Sequence, residues 1–122
     1  MPRPEPKLKI NLQDGNVSIP FTPAAAQALK ESINGLMQSL KVLSAKASAA
    51  GETQPKPEPQ PSLEHQHVGE VFLEVFCNPN IWATPFAAKV LLTIRDDRIR
   101  VSTEAELSRL VEDVNEYIEA TS

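Results

Sequence analysis

Leu8–Phe21, LKINLQDGNVSIPF, decides how the first half of this chain folds. Asp14-Gly15 is a strong two-residue hairpin signal, because the tight turn asks for φ > 0 at both central positions and these residue types tolerate it. A turn there sets Leu12 opposite Val17, Ile10 opposite Ile19 and Leu8 opposite Phe21, and all six side chains fall on one face. Turn chemistry and apolar alternation therefore agree on a β-hairpin.

Downstream, Thr22 is a good N-cap and Pro23 stands at the first helical position, where its missing donor costs nothing. The helix is expected to run to about Ala50, with Gly51 ending it. Leu29, Ile33, Leu36, Leu40, Leu43 and Ala47 recur at spacings of four and three, a heptad-like stripe. The flanking positions, Lys30, Met37, Ser44 and Ser32, Ser39, Lys46, offer no acid–base pairs. A helix laid on a sheet therefore ranks ahead of a parallel coiled coil.

Seven of the eleven prolines fall into two alternating runs, Pro2-Pro4-Pro6 and Pro55-Pro57-Pro59-Pro61. Alternating proline fixes φ and removes donors, so both runs favour extended backbone. They mark residues 1–7 as a tail and 51–67 as a proline-rich linker between two halves, 8–50 and 68–122. Neither contains P-x-x-P, which leaves a stiff spacer as the reading.

In the second half, Glu70–Cys77 reads as a central strand covered on both sides, since Val71, Leu73, Val75 and Cys77 on one face are matched by Phe72 and Phe76 on the other. Asn78-Pro79-Asn80 breaks it, and a loop carrying Trp82 follows. Ala87–Val101 reads as a second hairpin around Asp96-Asp97, with Leu92 opposite Val101 and Ile94 opposite Ile99. Thr103 and Glu106 then form a capping box for a last helix, whose stripe is Leu107, Leu110, Val111, Val114 and Ile118. The fold class is α+β: two hairpin–helix units plus one further strand, a three-stranded sheet in the second half, and the two halves docked as one core.

Composition excludes several functions. The net charge of −4 divides into −5 from Thr103 onward and +1 for the remainder, which does not make a general nucleic-acid binder. The longest apolar run, Phe86–Leu92, is broken by Lys89 and is too short to span a bilayer. MPRPEPKLKI lacks the apolar centre of a signal peptide, so export is not expected and the setting reads as cytoplasmic. Four glycines at 15, 35, 51 and 69 are too scattered for a phosphate loop.

The single cysteine, Cys77, sits on an apolar strand face, where a thiol packs as a small hydrophobe. His65-x-His67 lies in or beside the linker, unable to hold a base in place or to complete a metal site. Glu112 and Glu116 sit one turn apart on outward faces, without apolar cover to raise a pKa. No catalytic, metal or cofactor site is expected.

Two surface features remain. Arg95, Arg98 and Arg100 share the outer face of the second hairpin with Lys89 and Thr93, and facing arginines repel unless something anionic meets them. Asp96, Asp97 or the acidic last helix could neutralise them within the fold; otherwise an acidic peptide or a phosphate backbone would. Trp82, the only tryptophan, either plugs the core or anchors an interface.

The stretch NPNIWATPFAAKVLLTIRDDRIRVSTEAELSRLVEDVNEYIE is similar to small uncharacterised proteins of cyanobacteria. That resemblance covers the C-terminal half, implies a cytosolic or thylakoid-face setting, and brings no functional residues. The expectation is a non-enzymatic interaction or assembly factor that meets a protein partner through Trp82, Arg95, Arg98 and Arg100. A homodimer is also expected. A helix of about 42 Å overhangs a body roughly 33 Å across, and a second copy could cover Leu29, Ile33, Leu36, Leu40 and Leu43. The alternative is nucleic-acid binding through the arginine hairpin, with Phe72 and Phe76 as stacking platforms.

Overall fold

The computed structural model describes residues 6–50, 59–82 and 84–122, with backbone alone over 46–50. The expectations for residues 1–5, and for Pro55 and Pro57 of the linker, lie outside the described residues. Strands β1 (Lys7–Leu12) and β2 (Gly15–Pro20) pair as a two-stranded sheet and lead into α1 (Pro23–Ala50). A second, antiparallel sheet has the order β3-β4-β5-β6, formed by β3 (Leu63–His67), β4 (Phe72–Cys77), β5 (Lys89–Arg95) and β6 (Arg100–Glu106). A single 3-10 turn, Pro79–Ile81, follows β4, and α2 (Leu107–Thr121) closes the chain. The architecture is α+β.

Thr22 caps α1 as its chemistry dictates, its Oγ1 accepting the Ala25 N–H at 3.1 Å. Both hairpins form, yet each is slid by two residues from the pairing read in the sequence. In the first, the turn is Gln13-Asp14, and Ile10 faces Val17 while Leu8 faces Ile19. A slide of two keeps every side chain on its face, so the apolar pattern cannot distinguish the two registers. The hydrogen bonds do. A two-residue turn closes on a bonded pair, here Leu12–Gly15, so Asn11 points its N–H away from β2. That N–H donates to Asp113 Oδ2 on α2 at 2.8 Å.

In the second hairpin, Arg95 pairs with Arg100, Ile94 with Val101 and Leu92 with Thr103. A four-residue loop, 96–99, replaces the expected two-residue turn. Asp96 organises it, its Oδ1 accepting the N–H groups of Arg98 at 2.8 Å and Ile99 at 2.9 Å. The slide lengthens β6 through Glu106, so Thr103 is a strand residue and caps nothing; α2 begins at Leu107 with no side-chain cap. The Leu107 N–H is satisfied instead by the Ala88 carbonyl at 3.0 Å.

The sheet of the second half has four strands, not three, because β3 lies within the stretch read as linker. Leu63, His65 and His67 alternate inward, half-buried. Their face is met partly by polar and aromatic groups: Ser32 Oγ lies 2.8 Å from His65 Nδ1, and the Phe21 ring centre lies 4.6 Å from that of His67. The strand's lead-in is held by Asn80, whose Oδ1 accepts the Gln60 N–H at 2.7 Å and whose Nδ2 donates to the Gln60 carbonyl at 2.8 Å.

One cluster of buried side chains runs through the molecule. It joins Leu8, Ile10, Ile19 and Phe21 of the first hairpin, Ala26, Leu29, Ile33, Leu36 and Leu40 of α1, Leu73, Val75, Val90, Leu92 and Ile94 of the large sheet, and Leu107, Leu110 and Val114 of α2. Residues on either side of the proline-rich stretch thus share a core. The α1 stripe is consumed there. Leu29, Ile33, Leu36 and Leu40 are at most 3% exposed, so these four are not a surface for a second copy, while Leu43 is half-buried. Among the described residues, no helix is long and apolar enough to cross a membrane.

Candidate protein-interaction face

Among the described residues, the large sheet is covered on one face only. Alternation sends Leu73, Val75, Val90, Leu92, Ile94 and Ala105 into the core, and the intervening residues outward. β4 is central, as its apolar content implies, but Phe72 and Phe76 stand half-buried on the open face rather than under a second layer. Cross-strand register arranges that face in rows. Phe72, Arg95 and Arg100 form the first. Gln66, Glu74, Thr93 and Ser102 form the second, and Glu64, Phe76, Leu91 and Glu104 the third. Lys89 and Glu106 form the fourth.

The first row is the cationic end. The Arg95 guanidinium lies over the Phe72 ring, 4.3 Å from its centre, where the ring's π-electrons partly satisfy it. Arg100 stands beside it across the strand pair. Arg98, expected on the same face, lies in the 96–99 loop instead, since the register slide removes it from β6. Among the described residues, no carboxylate forms an ion pair with these three arginines. Asp96 spends its carboxylate on the loop N–H groups of Ile99 and Arg98, which hold it below the usual range. The acidic helix α2 belongs to the covered side of the sheet. Among the described residues, internal neutralisation, one of the two expected outcomes, is not seen.

Trp82 lies beyond the other end of the face. It is half-buried and packs on the core, and with Phe76, Ile81, Lys89, Leu91 and Glu104 it lines a shallow cleft of about 160 Å³. Its indole lines that cleft beside Cys77, whose thiol pKa is pushed up by burial. Trp82 and the arginines thus border one surface from opposite ends, without touching.

Sequence reasoning missed two residues. Leu91 is 45% exposed in the middle of the open face, between Phe76 and Glu104, and was obscured by the run of apolar residues around it. Asp113, an acid of the last helix, is 5% exposed. The signal available for Asp113 was its place between Leu110 and Val114 on the buried stripe.

The histidines carry no third ligand: among the described residues, no three His, Cys, Asp or Glu side chains cluster as a metal site would. Burial lowers the pKa of both, and His67 lowers that of His65 further. No family model matches this chain, and no curated protein or solved structure is significantly similar to it.

Proposed function

We propose that this chain is a non-enzymatic interaction module whose working surface is the open face of the four-stranded sheet. One observation carries the reading. Half-buried Phe72 and Phe76 and exposed Leu91 share this face with Arg95 and Arg100, on a sheet whose other face packs on the core. An antiparallel sheet that faces water ordinarily shows polar residues there. Aromatic side chains with arginine are the composition of interface centres. We place the module in the cytoplasm, where a lone thiol such as Cys77 stays reduced. Affinity capture by the full chain tests the reading: Phe76→Glu, and separately Arg95→Glu with Arg100→Glu, lose the captured chain while circular dichroism is unchanged. Capture that survives both variants removes the face from consideration.

A second reading has its own support. Phe72 and Phe76 share a face with Arg95 and Arg100, as a single-strand nucleic-acid platform requires. Against it, the same face carries Glu64, Glu74, Glu104 and Glu106, which outnumber Lys89, Arg95 and Arg100. Titration with labelled RNA and DNA oligomers at low salt separates the two. Micromolar binding that weakens steeply with salt and disappears in Arg95→Ala would put nucleic acid first.

A further inference from the structure

We propose that the chain which fits the open sheet face is a second copy of this one, stacked sheet to sheet about a two-fold axis. The inference rests on the reading of that face as the working surface and adds the occupant. The argument is charge complementarity. The face is cationic at the Arg95–Arg100 end and acidic from the middle onward, so it is complementary to itself when reversed.

Stacked sheets lie about 10 Å apart with strands aligned to within roughly 30°. Two aligned two-fold orientations exist. An axis along the strands lays β3 over β6 of the other copy, which sets Glu64 against Glu104. An axis across the strands, through the Glu74–Thr93–Ser102 row, lays the first row over the third instead. Arg100 then meets Glu104, Phe72 meets Phe76, and Arg95 meets Leu91 beside the Trp82 cleft, each contact occurring twice by symmetry. The Lys89–Glu106 row falls toward the loop carrying Asp97 and Arg98. The second orientation pairs opposite charges around an aromatic centre.

Its one unfavourable neighbour is Glu74 near the axis, where it approaches its own copy. Gln66 Nε2 already donates to Glu74 Oε2 at 2.8 Å, which holds the carboxylate in place but leaves its charge. The strand spacing and rise give a projected face of about 20 Å by about 19 Å. Two such faces bury roughly 800 Å² in all, below the range of standard specific interfaces, so the dimer is a weak one that dissociates at about tens of micromolar.

Sedimentation equilibrium of the full chain at about 0.2 mM, well above such a constant, reads a mass near twice 13.4 kDa. Phe76→Glu reads as a monomer with unchanged circular dichroism. Arg95→Glu with Arg100→Glu is monomeric, as is Glu64→Lys with Glu104→Lys, but an equal mixture of these two variants restores a dimer because their ends are then opposite in sign. Glu74→Gln tightens the wild-type dimer several-fold.

A wild-type monomer at that concentration overturns the proposal, and so does a dimer that Phe76→Glu leaves intact. The reading of the face is separable. A monomer that captures a different protein, and loses it in Phe76→Glu, ends the self-stacking proposal while the face stands. A monomer whose captured partners ignore Phe76→Glu ends both.

Discussion

Asp113 and Asn11 lie 102 positions apart in sequence, and Asn11 occupies both carboxylate oxygens of Asp113: the Asn11 N–H donates to Oδ2 at 2.8 Å and its Nδ2 to Oδ1 at 2.7 Å. The pair joins the first hairpin to the last helix beside the Arg109 guanidinium, which reaches the Leu12 carbonyl at 3.4 Å. A buried carboxylate needs such partners, since desolvating it without them is costly. Asn11→Ala is expected to cost about 2 kcal/mol by removing one charge-assisted hydrogen bond, and Asp113→Ala about as much by stranding the Asn11 amide. Chemical denaturation of both single variants and the double variant gives the coupling, expected at about 1 kcal/mol or more. Strict additivity would mean that the contact does not hold the halves together.

The α1 stripe yields a second expectation. Leu40 is 1% exposed and Leu36 3%, so Leu36→Glu with Leu40→Glu unfolds the chain rather than merely separating copies. Leu40→Ala alone costs about 2–5 kcal/mol. Denaturation curves with an unshifted midpoint for Leu40→Ala would place this helix outside the core.

Stability is expected to fall on mild acidification. Burial lowers the native pKa of His65 and His67 below the ordinary value of 6.5, with His67 adding to the shift at His65. The unfolded chain therefore binds more protons over that interval. The fold keeps its full stability above about pH 6.5 and loses part of it as the pH falls from there through the lowered native values. The thermal midpoint of His65→Gln, followed from pH 7.5 to about 5, should drop less than that of the wild type. Parallel curves would show that His65 is not linked to folding.

Much of the fold was legible in the sequence, and the omissions share a cause. Thr22-Pro23 announces α1 through local chemistry, and both hairpins announce themselves by alternation. Registers were not legible because a slide of two residues leaves an alternating pattern unchanged. What chose them was a distant carboxylate for Asn11 and a loop-capping one at Asp96. β3 was hidden because its inward residues include His65 and His67, matched to Ser32 and Phe21 rather than to aliphatic neighbours. Of the site, Arg95, Arg100 and Trp82 were legible as surface features. Their common face with Phe72, Phe76 and Leu91 follows from four-strand register, which no single segment contains.

Cys77 offers a check on the core beneath the Trp82 cleft. The thiol is 2% exposed and its pKa is raised, so a thiol reagent at pH 8 should modify it far more slowly in the native chain than in denaturant. Trp82→Ala, which opens the cleft beside Cys77, should quicken native modification at least several-fold. Rapid modification of the wild type would place Cys77 at the surface.

Hydroxyl-radical footprinting of the full chain tests the central claim most directly, comparing dilute purified protein with the same protein in an extract of its source cells. If the open sheet face is where this chain meets another, Phe72, Phe76 and Leu91 lose reactivity together in the extract. Phe86, which is 87% exposed beside Met37 and Lys41 on the helical side, keeps its reactivity. Protection of Phe86 with unchanged labelling at Phe72, Phe76 and Leu91 would contradict the account and move the interface to the groove between α1 and Pro85–Phe86.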